Sequence, residues 1–227
     1  MIEGPSVNAD LTKFVVIAAD DMAWDATEID GIFCKTLERV TETGLARESY
    51  LYKMNPGASF GGQTLEERAE IFVVYGSVSD GVSEIGKYTY HRMPPGSDVH
   101  IHSSAGCVIF FRRRQGRGAN GATFTIDATV AKNFEPWGGR GSVNIPLEDP
   151  AEPGVGAWIG SMIPDLHIPN HDHAGGEEIF VVEGVIEDEY CVAGPRTWMR
   201  FPLGFEHSPF SRHDDVLMLV REGDVKI

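Results

Sequence analysis

The sequence predicts an all-β protein built from two tandem copies of one domain, and three observations carry that reading. A shift of 108 residues lays Glu70-Ile71-Phe72-Val73-Val74 on Glu178-Ile179-Phe180-Val181-Val182, identical at every position. The same offset pairs Met54 and Pro56 with Met162 and Pro164, Gly76 with Gly184, Gly86 with Gly194, and Pro94 and Gly96 with Pro202 and Gly204. Solenoid units run to about 20–50 residues, so a repeat of this length is a whole small domain. Within each half, short β-branched and aromatic segments alternate with Gly, Pro, Asn and Asp, the pattern of strands joined by turns. Amphipathic helices of useful length are absent, which leaves a sandwich, jelly roll or barrel.

Taken in order, the first half offers strands at residues 71–75 and 108–112. Residues 65–69 are its one candidate for a helical turn, because Glu66, Glu67 and Arg68 are good helix formers. Gln115-Gly116-Arg117-Gly118-Ala119-Asn120-Gly121 reads as a turn-rich linker where the repeat requires a boundary, dividing the chain into domains 1–116 and 117–227. The second half repeats the scheme with strands at 179–183 and 216–221. At 227 residues and 42% hydrophobic, the chain has enough material to bury two modest cores.

A formal charge of −15 repels phosphate backbones and anionic headgroups, so neither nucleic acid nor membrane is an expected partner. Arg112-Arg113-Arg114 with Arg117 reads as a solvated strand end. The acidic start, Met1-Ile2-Glu3-Gly4-Pro5, has no basic n-region, and the apolar run at 14–19 is too short for a signal or a span. Cys34, Cys107 and Cys191 are odd in number and widely spaced. They suit buried free thiols in a reducing compartment, and the expected location is the cytoplasm.

The chemistry concentrates in the second half. His171 and His173 are two apart, so an extended segment sends both imidazoles to one face. Gly175-Gly176 permits a tight turn that returns Glu177 towards them, and His207 arrives from a separate strand. Three neutral imidazoles and a carboxylate form a borderline N/O site for one divalent ion: Fe(II), Mn(II), Zn(II), Ni(II) or Co(II). The 108-residue offset places Gln63, Leu65, Ala69 and Val99 at the four equivalent positions, so the first half is expected to hold no ion. His100 lies one residue out of register there, and alternation turns it to the opposite face.

Other residues read as structural. His167 belongs to a loop, His213 beside Asp214-Asp215 to a solvated turn, and Glu187-Asp188-Glu189 to an acidic loop. Glu178 points away from Glu177 and has a twin, Glu70, in the half without ligands. Trp198, Met199 and Phe201, on the strand leading to His207, are candidates for an apolar pocket wall.

His-x-His, Glu177 and Gly184, followed by Gly194 and Pro202-x-Gly204-x-x-His207, resemble the two sequence motifs of the cupin superfamily. That resemblance implies two double-stranded β-helix (jelly-roll) barrels. The run 171–184, with Asp188-Glu189 after it, is similar to the cupin of ChrR-type anti-sigma factors, whose ligand pattern falls on His171, His173, Glu177 and His207. The first half shares the likeness through Gly31, Met54-Asn55-Pro56-Gly57, residues 70–76 and Met93-Pro94-Pro95-Gly96-Ser97. In that family a separate His/Cys zinc domain binds sigma factors. No histidine precedes His91 and no cysteines are paired here, so anti-sigma activity is not expected.

Similar ChrR-like cupins also act as single-metal oxygenases on diketones and hydroxylated aryl ketones. The resemblance therefore implies an Fe(II)-type dioxygenase for a small chelating carbonyl or phenolic compound. The competing expectation is a non-enzymatic metal or ligand sensor in transcriptional or stress regulation. A sugar isomerase ranks third, for want of a distinct base and a phosphate-binding cluster. An exposed barrel edge could support a homodimer.

Overall fold

The structure, a computed structural model, describes residues 4–41, 46–114, 122–128, 135–137, 142–147, 156–223 and 225. The expected linker at 115–121, and the boundary within it, lie outside these residues, as does Arg117. Among the described residues the only helix is a short 3-10 turn, Ala19–Asp21, and all other regular structure is antiparallel strand. No helix among them is long and apolar enough to cross a membrane.

The chain forms two compact units, one from Met1–Ala9 with Ala23–Val130 and the other from Asp10–Met22 with Ala131–Ile227. Among the described residues each has a seven-stranded sheet, accompanied by a four-stranded sheet in the first unit and a three-stranded one in the second. The four expected strand segments fall inside Arg68–Gly76, Cys107–Arg114, Glu177–Glu183 and Val216–Glu222. These are the inner strands of the two large sheets.

Both large sheets take a terminal strand from the sequence of the other half. Val15–Ala18 pairs with Thr197–Phe201 in the second unit, and Phe124–Asp127 pairs with Thr89–Met93 in the first. An Arg196 guanidinium donating to Asp20 Oδ1 at 2.7 Å and Arg200 Nη2 donating to the Asp10 carbonyl at 2.7 Å secure the N-terminal segment in the second unit. A strand added this way covers an edge that would otherwise offer unpaired backbone groups.

Alternation along the inner strands separates two kinds of burial. One face of Arg68–Gly76 supplies Ala69, Ile71 and Val73 to the first core, and one face of Glu177–Glu183 supplies Ile179 and Val181 to the second. The opposite face carries Glu70, whose cross-strand neighbours are Arg92 and Arg112, and Glu178, whose neighbours are Arg200 and Arg221. All six are buried. A buried carboxylate needs such partners, since an unpaired charge in the interior costs several kcal/mol. This explains why Glu70 and Glu178 survive in both halves. It also corrects the expectation that the arginines at 112–114 are solvated: Arg112 and Arg114 are buried, and Arg113 pairs with Glu48 Oε2 at 2.9 Å.

The segment 65–69 is not helical. Leu65 N donates to Ser97 O at 2.8 Å and Gly96 N donates to Leu65 O at 2.8 Å, and the next strand begins at Arg68. Cross-strand pairing overrides helix propensity here. Gly76 and Gly184 occupy matching bends with φ of +73° and +76°. A Cβ at either would lie 2.3 or 2.2 Å from a backbone carbonyl oxygen, so only glycine fits.

Candidate metal centre

His171, His173 and His207 come together, their nearest nitrogens all within 4.8 Å of one another, an arrangement that could hold a metal ion. The convergence differs in detail from a continuous extended strand. His171 and His207 form an isolated antiparallel bridge, His171 N donating to His207 O at 3.1 Å and His207 N to His171 O at 3.0 Å. His173 then sits at the start of a turn that Gly176 N closes on its carbonyl at 2.9 Å. Gly176 has φ of +70°, and a Cβ there would meet the Val225 Cβ at 2.6 Å. That turn delivers Glu177 as the first residue of its strand.

Glu177 Oε2 lies 3.4 Å from His173 Nε2 and 3.5 Å from His207 Nε2, and these two nitrogens are 3.4 Å apart. Among the described residues this buried oxygen accepts no hydrogen bond. A buried carboxylate oxygen in that condition is costly unless a cation or proton occupies the space it faces. Burial pushes the Glu177 carboxyl above its usual range, with His173 and His207 pulling the other way. Donor chemistry and the orphaned oxygen both fit a divalent cation.

Each imidazole has an oxygen next to its Nδ1, and the Nε2 atoms of His173 and His207 face Glu177. His171 Nδ1 donates to the Pro169 carbonyl at 2.8 Å. His173 Nδ1 faces Glu222 Oε1 at 3.2 Å, and His207 Nδ1 faces Asp188 Oδ2 at 3.5 Å. Carboxylates in that position fix the tautomer and raise ligand basicity. Burial alone would lower the His173 pKa, but Glu222 and Glu177 outweigh it and the net shift is upward. Burial dominates at His171, whose pKa falls. His173 holds Glu222 below the usual carboxylate range. Asp188 is lowered as well, burial being outweighed by His207 and by the Tyr190 and Cys191 amides.

His171, His173, Glu177, His207 and Glu222 all line a cavity of about 290 Å³. The rest of its lining is mostly apolar: Trp158, Met162, Ile179, Ile186, Met218 and Val220. Trp198, Met199 and Phe201 do not line it, contrary to the expectation for that strand. Phe201 instead packs behind His207, ring centroids 4.4 Å apart. His167 is exposed and stacks on Phe210 outside the cavity, and His213 is a solvated residue 3.6 Å from Asp165.

Sequence reasoning missed Asp188 and Glu222. Asp188 sits in the acidic run assigned to a loop, though its place directly after the 171–184 motif was a usable signal. Glu222 reaches the site through the pairing of Val216–Glu222 with Glu177–Glu183, where it lies opposite Glu177.

In the first unit the equivalent pair Gln63↔Val99 adopts the same cross-strand register as His171↔His207, so the offset read from sequence holds in space. Val99 and Ile101 are buried, while His100 and His102 face outward. Gln63, Leu65, Ala69 and Val99 line a cavity of about 360 Å³.

Residues 12–116 and 125–226 match the family described as the ChrR cupin-like domain. No curated protein matches the chain in sequence. A provisionally designated dioxygenase from Nostoc punctiforme has a similar structure, with a TM-score of 0.76 at 13% identity over 92% of this chain and 82% of that one. So does a protein from Pseudomonas aeruginosa provisionally designated glyoxylate-induced, with a TM-score of 0.75 at 17% identity over 98% and 93%. A variant of Bacillus subtilis oxalate decarboxylase aligns with a TM-score of 0.66 at 12% identity over 98% and 79%. At these identities the likeness is one of fold.

Proposed function

This chain belongs to the ChrR cupin-like domain family, and from that premise we propose that it is a mononuclear dioxygenase of the Fe(II) type, acting on a small chelating carbonyl or phenolic compound. His171, His173 and His207 would hold the cation through Nε2, and Glu177 through Oε2. The observation that carries this reading is the cavity: the donors open onto about 290 Å³ of mostly apolar space, and an ion serving structure alone needs no such room. When bound, the cation supplies Lewis-acid and redox chemistry and a template for the organic ligand.

The protein's own part is placement. Pro169, Glu222 and Asp188 set the direction of the three rings. Trp158, Met218 and Val220 would shield the organic ligand from water and favour an apolar body with its polar atoms towards the donors. Cys34, Cys107 and Cys191 are free thiols, in keeping with a cytoplasmic setting.

A second reading, a metal or ligand sensor module in regulation, is favoured by Glu177, because a fourth protein donor could close a tetrahedral site around Zn(II). One experiment separates the two: metal analysis of anaerobically purified protein, then O2 uptake after Fe(II) loading with β-diketones and hydroxyaryl ketones. Iron near one per chain and substrate-dependent uptake are expected. Tightly held zinc with no uptake under any loading would transfer the assignment to the sensor.

A further inference from the structure

We propose that the cavity of the first unit is a second ligand site, one that takes an uncharged aromatic molecule bearing a single hydrogen-bonding group, such as a phenol. A barrel retained only for packing would close over the positions where its donors are missing, because unfilled apolar volume is destabilising. Here the space stays open at about 360 Å³, larger than the cavity beside the histidines.

Its lining defines the ligand. Three of the four donor positions carry Leu65, Ala69 and Val99, so the floor is apolar, and the fourth keeps an amide, Gln63. Tyr52, Phe60 and Phe111 form an aromatic wall, with Tyr52 and Phe111 edge to face at 5.5 Å and Tyr52 and Phe60 tilted at 6.1 Å. Rings in those orientations accept another ring by stacking or by its edge. The Tyr52 hydroxyl keeps its proton, burial chief among the causes that raise its pKa, and stays a neutral donor.

Charge excludes anions. Arg113 is the lining cation, lying opposite Ala69 as Glu222 lies opposite Glu177. Glu48 at 2.9 Å and Glu67 at 3.5 Å already engage it. Glu28 adds a further carboxylate to the lining. An anionic ligand would have to displace one of these pairs, whereas a phenol needs only the amide and the rings.

The test is a fluorescence titration of the metal-loaded full chain with 2-naphthol, repeated after a chelator has removed the metal. Binding that persists within about twofold in Kd is expected. Ala69→Phe, filling the floor, and Gln63→Trp, blocking the rim from an exposed position, should each weaken it at least about tenfold, about 1.4 kcal/mol. Both should leave metal content unchanged, which keeps this result separate from the fate of the dioxygenase reading. Should Ala69→Phe fail to fold by circular dichroism, Gln63→Trp decides. No binding, binding lost with the metal, or binding undiminished in the folded variants overturns the site. 2-Naphthoate should bind at least about tenfold more weakly, and equal affinity overturns the ligand class.

Discussion

The two units share a framework and diverge on the face that looks into the cavity. Both bury a glutamate between arginines of neighbouring strands, Glu70 with Arg92 and Arg112, and Glu178 with Arg200 and Arg221. Both turn on a glycine with positive φ, Gly76 and Gly184. On the inner face His171, His173, Glu177 and His207 stand against Gln63, Leu65, Ala69 and Val99, and Glu222 against Arg113. The lesson is that alternation along a strand lets one face conserve the fold while the other changes its chemistry.

The sharpest way to break this comparison is to erase the difference in the second unit. Replacing both His171 and His173 by Ala should take metal content from about one ion per chain to none, while circular dichroism shows the first unit still folded. One ion per chain retained in the double variant would mean that the donors lie elsewhere. The reverse construction adds the donors to the first unit: Gln63→His, Leu65→His, Ala69→Glu and Val99→His. A second ion is expected to bind at least about tenfold more tightly when Arg113→Glu is added, because that position then repeats Glu222 behind a histidine. Equal affinity with and without Arg113→Glu would remove Glu222 from the account.

A smaller effect tests the carboxylates directly. Glu222→Gln and Asp188→Asn should each weaken metal affinity by about 10–100-fold, about 1.4–2.7 kcal/mol, measured by chelator competition. Acidity should give a graded loss. Below its raised pKa, His173 carries a proton that a cation must displace, so affinity falls by up to about tenfold per pH unit on the acid side. Glu222 helps raise that pKa, so Glu222→Gln should move the acid limb to lower pH, and an unmoved limb would contradict the pairing. The smallest expected effect belongs to Gln63→Ala, which should leave metal content unchanged; a large loss would dissolve the equivalence of the two halves.

Much of this is legible in the sequence. Five identities at a fixed offset, with glycines and prolines in step, located two copies of one fold, and His-x-His, with His207 from a separate strand, named the three imidazoles that come together in the structure. Local segments proved harder. The 65–69 stretch has helix-forming side chains but is held by Ser97 across the sheet, and the arginines at 112–114 are charged yet mostly buried, because acidic residues from elsewhere in the sequence meet them. Composition reports neither partner.

The sequence by itself determined the all-β class, the duplication and the candidate donor residues in one half, since these reside in spacing and in comparison of the chain with itself. Tertiary structure alone decided that Val15–Ala18 completes the second unit's sheet and Phe124–Asp127 the first unit's. It alone brought Glu222 and Asp188 behind His173 and His207, and left Arg113 facing the other cavity. The physical reason is cross-strand register: strands far apart in sequence become neighbours through backbone hydrogen bonds, which carry no side-chain signature.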